Sequence, residues 1–245
     1  MTAVWAHRGA SAYAPENTME AFRLAQEMGA DGMELDVHLT RDGEILVTHD
    51  ENVRRVTGTD ALVRDLTLAQ AQALDACNGM DAYRGARMPA LCEVLEFLRT
   101  NAMTLNIELK TGETLYPGLE EKTVEMVHRF GLADRVLYSS FNHRSLLLVR
   151  QADPAARIGL LYSETMVDPH IYARHLRADA IHPEFHSLYF APDTTRGCQD
   201  AGVRIHPWTV NDEQDMRALC RLGCEALITN FPDVARRIVE ESSQS

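Results

Sequence analysis

The 245-residue chain has few cysteines, and these follow neither a disulfide nor a metal-binding pattern. The five cysteines are odd in number and scattered, and no two of them form a CxxC pair. Cys220 and Cys224 could face each other on a helix, but zinc would need two further ligands. Small secreted domains that depend on disulfides have denser, evenly paired cysteines. We therefore expect a reducing compartment and no disulfide framework.

Long apolar runs and an excess of positive charge are also absent. No window approaches the ~18 consecutive apolar residues of a membrane-spanning helix, and no basic region followed by an apolar segment opens the chain. The formal net charge of −12 argues against general affinity for nucleic acid or anionic membranes. We expect a cytoplasmic protein with no nucleic-acid partner and no stable membrane association. A phosphate-bearing small molecule stays compatible, because a binding site needs only local positive charge. The oligomeric state is left open.

Strand and helix patterns alternate along most of the chain. Predicted strands cover 4–6, 32–37, 104–109, 136–139, 158–162, 180–182, 203–208 and 226–229. Predicted helices cover 18–28, 91–99, 118–130, 144–152, 169–176, 194–201, 213–222 and 232–240. This alternation implies a parallel sheet, and eight units in roughly 250 residues favour a closed (β/α)₈ barrel of the TIM type. An open doubly wound sheet is the alternative, but no Gly-rich dinucleotide motif follows the first strand.

One stretch interrupts the alternation. Asp42-Gly43 lies between apolar runs, which is a hairpin signal, and the returning arm brings His49 near the end of the second strand. Residues 51–87 then contain polar runs and a short helix near 68–74. We interpret the chain as a single barrel domain over residues 1–245, with a small inserted subdomain at about 51–87, after strand two.

Two strands carry acidic residues inside apolar runs. In the run 33–37, Glu34 and Asp36 point to one face and their apolar neighbours to the other, because side chains alternate along a strand. The run 105–110 repeats this arrangement with Glu108. Buried carboxylates lose hydration and repel each other, and a hard divalent cation, which prefers oxygen ligands, would compensate. We predict that Glu34, Asp36 and Glu108 meet at one ion.

Further polar and aromatic residues lie at or just beyond predicted strand ends, where (β/α)₈ barrels place their chemistry. Arg8 and Lys110 could neutralise phosphoryl oxygens. His7 and His49 could act as an acid–base pair, because imidazole exchanges protons near neutral pH. The other residues at strand ends are Phe141, His182 and Trp208.

Each of these residues alone also has an ordinary explanation. His7 could be structural, Arg8 could be a surface charge, and Glu108 could form a simple salt bridge with Lys110. Asp50 is interpreted as a turn or capping residue, and His38 as a packing residue. The functional interpretation depends on the combination.

The motifs occur in an order that resembles the bacterial glycerophosphodiester phosphodiesterase family of the cytoplasmic type. The resemblance extends from residue 4 to about residue 232 and is carried by His7-Arg8-Gly9, Glu16-Asn17-Thr18, Glu34-Leu35-Asp36-Val37, Thr48-His49-Asp50, Met88-Pro89-Ala90-Leu91-Cys92-Glu93-Val94-Leu95, Ile107-Glu108-Leu109-Lys110 and Trp208-Thr209-Val210-Asn211. Two positions depart from the family pattern: Ala90 is more often threonine and Asn230 often aspartate. We expect neither to lie near the chemistry.

The resemblance implies a (β/α)₈ barrel with an insertion after strand two and metal-dependent hydrolysis of glycerophosphodiesters to glycerol 3-phosphate and an alcohol. One divalent ion, Mg²⁺ or Ca²⁺, is implied on the three acids named above. The implied roles of the others are His7 and His49 as the catalytic pair, Arg8 and Lys110 on the phosphate, and Trp208 as an apolar wall against the glycerol, with Phe141 beside it.

Two other functions are compatible with parts of the pattern. A lysophospholipase D or phospholipase C-like enzyme on a similar barrel would act on lipids, but should expose an apolar rim or a basic membrane-facing surface. A non-catalytic phosphodiester-binding module would be expected to lack one or more of the proposed catalytic residues, and none is missing.

Overall fold

Eight parallel strands form the centre of this computed structural model, which describes residues 2–243. Counting one further, antiparallel strand, β3, the strands are β1 (Ala3–His7), β2 (Gly32–Leu39), β3 (Ile45–Val47), β4 (Thr104–Leu109), β5 (Val136–Ser140), β6 (Arg157–Tyr162), β7 (Ala180–Pro183), β8 (Arg204–Ile205) and β9 (Ala226–Thr229). Their order is β8-β7-β6-β5-β4-β2-β1-β9, and β3 pairs antiparallel with β2 as the returning arm of a hairpin. The predicted (β/α)₈ barrel is confirmed.

The ring closes between β8 and β9 without a regular ladder. The amides of Glu225 and Ile228 donate to the carbonyls of Ile205 and Pro207 across this seam, at 3.1 and 3.0 Å. The sequence predicts a strand over 203–208, and this prediction was too long. Pro207 has no N–H to donate toward β9, so no regular ladder passes it on that side, although the amides of His206 and Trp208 still donate toward β7. Beyond it, Trp208 forms only an isolated bridge with Glu184.

Helices surround the barrel and follow the predicted positions closely. They are α1 (Met19–Glu27), α2 (Arg54–Thr57), α3 (Leu68–Gln72), α4 (Leu91–Arg99), α5 (Leu119–Arg129), α6 (His143–Ala152), α7 (Pro169–His175), α8 (His186–Phe190), α9 (Asp193–Ala201), α10 (Glu213–Leu222) and α11 (Pro232–Ser243). Short α8 was not predicted, because five residues are too few to show helical periodicity. Within residues 2–243, none of these helices has the length and apolarity to cross a bilayer.

The turn after β1 is locked against α1. Thr18 caps α1, its hydroxyl accepting from the amide of Ala21. Gly9 has a φ of +82°, and a Cβ there would lie 2.6 Å from the carbonyl carbon of Ala21. A residue with a side chain would therefore push the turn away from the helix.

Residues 51–87 lie between β3 and α4 and contain α2 and α3. This segment buries a small apolar cluster separate from the main core: Val53, Val56, Val63, Ala71 and Ala76, packed with Leu46 and Met88. Packing of this apolar cluster therefore fixes the position of the polar side chains that the segment points toward the barrel.

Two buried histidines lie side by side in the barrel interior. His206 Nδ1 lies 3.1 Å from His182 Nε2, and the His206 ring centroid lies 4.7 Å from that of Trp5, with the planes tilted by 54°. Burial lowers the pKa of His182 to about 3, and burial together with neighbouring His182 lowers that of His206 well below its ordinary value. Both rings are therefore neutral in the folded protein at physiological pH.

These depressed pKa values predict how stability depends on pH. The unfolded chain takes up a proton on His182 below about pH 6.5, whereas the folded chain does not until near pH 3. The free energy of unfolding is therefore at its full value above pH 6.5 and falls as the pH drops. One such histidine lowers it by up to about 2 kcal/mol between pH 7 and pH 5. In urea unfolding, His182→Asn should show a shallower loss of stability over this range than the native chain. Leu188→Ala removes a buried side chain without a titratable group and should keep the native slope. Parallel slopes for all three proteins would contradict the prediction.

Candidate active site

Three neighbouring strands place their polar side chains at one end of the barrel. The parallel register aligns His7 of β1 with Glu34 of β2, and Asp36 of β2 with Glu108 of β4. On β2, Met33, Leu35 and Val37 pack into the outer core, so alternation turns the two acids inward. The sheet register itself therefore brings the acids together.

The carboxylates of Glu34, Asp36 and Glu108 form a buried cluster. One ligand oxygen from each lies within 4.8 Å of the others. Burial raises the pKa of Glu108 to about 7, and burial together with repulsion from Asp36 raises that of Glu34 well above its usual range. Two of the three acids are thus poorly stabilised as anions by the protein alone.

The donor set fits a hard divalent cation. All three side chains offer oxygen, the ligand that Mg²⁺ and Ca²⁺ prefer. Asp36 Oδ1 is fully buried and has no hydrogen-bond partner among residues 2–243. A bound cation would satisfy this oxygen and relieve the repulsion that raises the pKa of Glu34 and Glu108. The cluster can therefore hold a metal ion.

Two basic side chains border the acids. Lys110 Nζ lies 2.9 Å from Glu108 Oε1 and 3.7 Å from Asp36 Oδ1. Arg8 Nε lies 3.4 Å from Asp36 Oδ2. Although burial favours its protonated form, Arg8 and Lys110 lower the pKa of Asp36 below its usual range. Asp36 is therefore the acid that stays ionised, and Asn17 Nδ2 donates to its Oδ2 at 2.8 Å.

The backbone of Arg8 also takes part. Its φ of +56° is in the left-handed region, which a residue with a side chain adopts at some energetic cost. In this conformation the Arg8 amide donates to Glu34 Oε2 at 2.9 Å. The strained turn after β1 therefore aims one main-chain donor at the acidic cluster.

His49 is held in one tautomer by its neighbour. Asp50 Oδ1 lies 2.6 Å from His49 Nδ1. A carboxylate only accepts hydrogen bonds, so the proton of the neutral ring is on Nδ1. His49 Nε2 accepts from Lys110 Nζ at 3.2 Å. The electron pair on His49 Nε2 therefore faces the bordering lysine and the acidic cluster.

His7 is held by an amide. Asn230 Oδ1 lies 2.7 Å from His7 Nδ1 and accepts a hydrogen bond from it, which leaves His7 Nε2 to face the site. The side-chain oxygen of Asn211 in turn accepts a hydrogen bond from the main-chain amide of Asn230 at 3.0 Å. The expectation that Asn230 lies away from the chemistry was wrong. Burial, aided by the charge of Arg8, lowers the pKa of His7 to about 4, so this ring is neutral at physiological pH.

A cavity of about 170 Å³ lies between the two imidazoles and the acids. Trp208 and Phe141 form an aromatic side of it, with ring centroids 5.5 Å apart and planes at 89°. A second, more open cavity of about 990 Å³ adjoins it and shares His49, Glu108 and Phe141 in its lining. Of the residues singled out from the sequence, seven line the smaller cavity: His7, Arg8, Glu34, His49, Glu108, Phe141 and Trp208. Asp36 and Lys110 adjoin Glu108 beside it, whereas His182, also at a predicted strand end, does not line it.

The sequence did not show which residues contact and orient the proposed site residues. Asp50 was interpreted as a turn residue, because adjacent side chains on an extended segment usually point apart. Glu16 and Arg55 contact each other across 39 positions, and no local pattern marks such a pair. His38, interpreted as a packing residue, is buried and its Nε2 lies 3.0 Å from the His49 carbonyl. The family preference for aspartate at position 230 was the one available signal for Asn230.

Fold and site together define a (β/α)₈-barrel protein with an acidic centre able to hold a metal ion at its strand ends. The model of the glycerophosphoryl diester phosphodiesterase family matches residues 7–234. The chain therefore belongs to this family.

Several relatives match over nearly their whole length. A glycerophosphodiester phosphodiesterase of Caldanaerobacter subterraneus is 41% identical over 98% of both chains. One of Bacillus altitudinis is 38% identical over 98% of this chain and 99% of its own. Among solved structures, an Oleispira antarctica phosphodiesterase in complex with the product sn-glycerol-3-phosphate has a TM-score of 0.86 and 29% identity, covering 98% of this chain and 97% of the other.

The acidic cluster predicts a specific response to divalent cations. At about a hundredfold excess over its dissociation constant, Mg²⁺ or Ca²⁺ should stabilise the folded chain by about 2.7 kcal/mol, or roughly 5–10 °C in Tm. Glu34→Gln should abolish this shift. It should also leave the metal-free protein at least as stable as the native one, because it removes a repelling charge. Thermal melts with and without cation measure both effects. Glu96→Gln, an exposed acid on α4, is the control and should keep the native shift.

Proposed function

We propose that this chain hydrolyses glycerophosphodiesters to glycerol 3-phosphate and an alcohol, with a divalent cation bound by Glu34, Asp36 and Glu108. The observation that carries the proposal is the placement of two imidazoles on one cavity beside the acids, each with its Nδ1 held by a neighbouring oxygen. The activity named for the relatives, and the product bound to the Oleispira antarctica enzyme, agree with it.

Each group has a defined part in this proposal. The cation, when bound, supplies Lewis acidity that withdraws charge from a phosphoryl oxygen. Arg8 and Lys110 neutralise the remaining phosphoryl oxygens. Trp208 and Phe141 provide an apolar wall for the glycerol carbon chain, and the adjoining open cavity accommodates the leaving alcohol.

The two imidazoles exchange protons with the substrate in two steps. In the first, one imidazole takes the proton of the glycerol 2-hydroxyl, whose oxygen bonds to phosphorus. The bond from phosphorus to the leaving alcohol breaks, and the other imidazole, which enters this step protonated on both nitrogens, gives its Nε2 proton to that alcohol. In the second step water opens the cyclic phosphate with the roles reversed, giving glycerol 3-phosphate. An internal nucleophile reduces the entropic cost of reaching the attacking geometry.

The rival functions have less support. In a lipid-using enzyme we expect an apolar rim or a basic membrane-facing surface. Exposed Leu115, Val167 and Phe190 do follow β4, β6 and β7, but the net charge of −12 opposes binding to an anionic membrane. A module that only binds phosphodiesters would not need two imidazoles in complementary positions beside an acidic cluster.

Purified protein should release glycerol 3-phosphate from glycerophosphodiesters and stop after chelation, with activity restored by Mg²⁺ or Ca²⁺. His7→Ala and His49→Ala should each lower kcat by the ~10²–10⁴-fold that acid–base catalysis contributes. Both variants should keep the cation-dependent Tm shift, because neither residue is a proposed ligand. An enzyme-coupled assay for glycerol 3-phosphate over a panel of choline, ethanolamine, inositol and glycerol diesters measures the rates. Full activity in metal-stripped protein would contradict the proposal.

The cyclic route makes a separate prediction about the substrate. A glycerophosphodiester without the 2-hydroxyl has no internal nucleophile, so it should bind in the cavity yet not turn over. Phosphorus NMR during turnover of the native substrate should show the cyclic ester when water attack is slowed. Normal cleavage of the 2-deoxy substrate would refute the cyclic route while leaving the hydrolytic activity intact.

A further inference from the structure

We infer that Arg55, from the 51–87 segment, is a positioning residue that orients His49 and Arg8 at the same time. One guanidinium reaches the acid behind each of these side chains. The inference rests on the proposed function, since it assigns to this segment a part in the same reaction. Arg55 lines the adjoining open cavity but not the smaller one that holds the two imidazoles, so we expect it to affect the reaction through His49 and Arg8.

The first branch runs through Asp50. Arg55 Nε donates to Asp50 Oδ2 at 2.6 Å, while Asp50 Oδ1 accepts from His49 Nδ1 at 2.6 Å. The two oxygens of one carboxylate are therefore fixed from opposite sides. Asp50 cannot rotate away from the imidazole without breaking a charge-assisted bond to Arg55. This contact keeps the His49 proton on Nδ1 and its electron pair toward the acids.

The second branch runs through Glu16. Arg55 Nη1 and Nη2 donate to Glu16 Oε2 and Oε1, both at 2.8 Å, in a two-pronged pair. Glu16 Oε1 also accepts from Arg8 Nη1 at 3.0 Å. Although burial opposes it, hydrogen bonding from Arg55 and the charge of Arg8 keep the pKa of Glu16 below its usual value. Glu16 is thus an ionised bridge between the two arginines.

The geometry requires an arginine. Three different nitrogens of Arg55 contact two carboxylates, and the planar fork presents them in fixed directions. A lysine ammonium is a single point charge and cannot hold both acids in these orientations. Val56, the next residue, is packed in the apolar cluster of the segment, so the backbone that carries Arg55 is fixed.

A surface ion pair without a part in the reaction would be the simpler explanation. It predicts that loss of Arg55 changes the reaction rate as little as it changes the stability. The Arg55 side chain is 44% exposed, and ion pairs at such exposure contribute little to stability. Loss of Arg55 should therefore leave the fold almost unchanged. Its effect should appear in the chemical step, because small displacements of catalytic groups cost up to about 10²-fold in rate.

Arg55→Gln and Arg55→Lys test the inference against Arg84→Gln. Arg84 lies in the same segment and also pairs with an aspartate, Asp81, at 2.8 Å, but has no contact with the site. Both Arg55 variants should lower kcat on a glycerophosphodiester by about 10–10²-fold, with little change in KM, Tm or the cation-dependent Tm shift. Arg84→Gln should match the native enzyme. If Arg55→Gln proves unstable, the kcat of Arg55→Lys decides the test, because lysine keeps the positive charge and the aliphatic stem.

A double-mutant cycle separates positioning from a general effect. Because Arg55 acts partly through Asp50, adding Arg55→Gln to Asp50→Asn should cost less than it does in the native chain. Unchanged kcat in Arg55→Gln, equal loss in Arg84→Gln, or strictly additive losses would each overturn the inference. An inactive native enzyme would instead overturn the proposed function, so the two failures are distinguishable.

Discussion

Repulsion among three buried carboxylates is the constraint on which the rest of this site depends. The register of β1, β2 and β4 forces Glu34, Asp36 and Glu108 together, and the interior around them offers little solvation. Arg8 and Lys110 offset part of this charge, enough to keep Asp36 ionised but not enough to restore an ordinary pKa to the two glutamates. The remaining deficit is what makes the cluster suited to hold a cation.

The two histidines are held by chemically different partners. The carboxylate of Asp50 carries a full charge next to His49, whereas the amide of Asn230 offers His7 only a dipole. A carboxylate stabilises a protonated imidazole more than an amide does. The two rings are therefore unequal before any substrate arrives, and an acid–base pair benefits from such inequality. The substitution of asparagine at position 230, where the family often has aspartate, increases this difference.

The barrel and the inner set of site residues could be predicted, because both follow from local patterns. Alternation along β2 and β4 turns Glu34, Asp36 and Glu108 inward, and helix boundaries such as Thr18 follow from capping preferences. The supporting residues could not. Asp50 reaches His49 only because the chain bends after β3, and Arg55 meets Glu16 through the packing of a segment without periodicity. Such contacts depend on the assembled structure. The motifs that carry the family resemblance include Glu16 and Asp50 but do not show which side chains these two residues contact.

Because the barrel closes irregularly between β8 and β9, different parts of the site are attached to regions of different regularity. Trp208 and Asn230 follow these two strands and so flank the seam, while the three acids belong to the continuous ladder of β1, β2 and β4. Trp208, one of the two rings on the aromatic side of the smaller cavity, is thus attached to the irregular part of the ring, and the charged centre to the continuous ladder. Changes in shape at the seam can alter which molecules fit without disturbing the electrostatics that act on them.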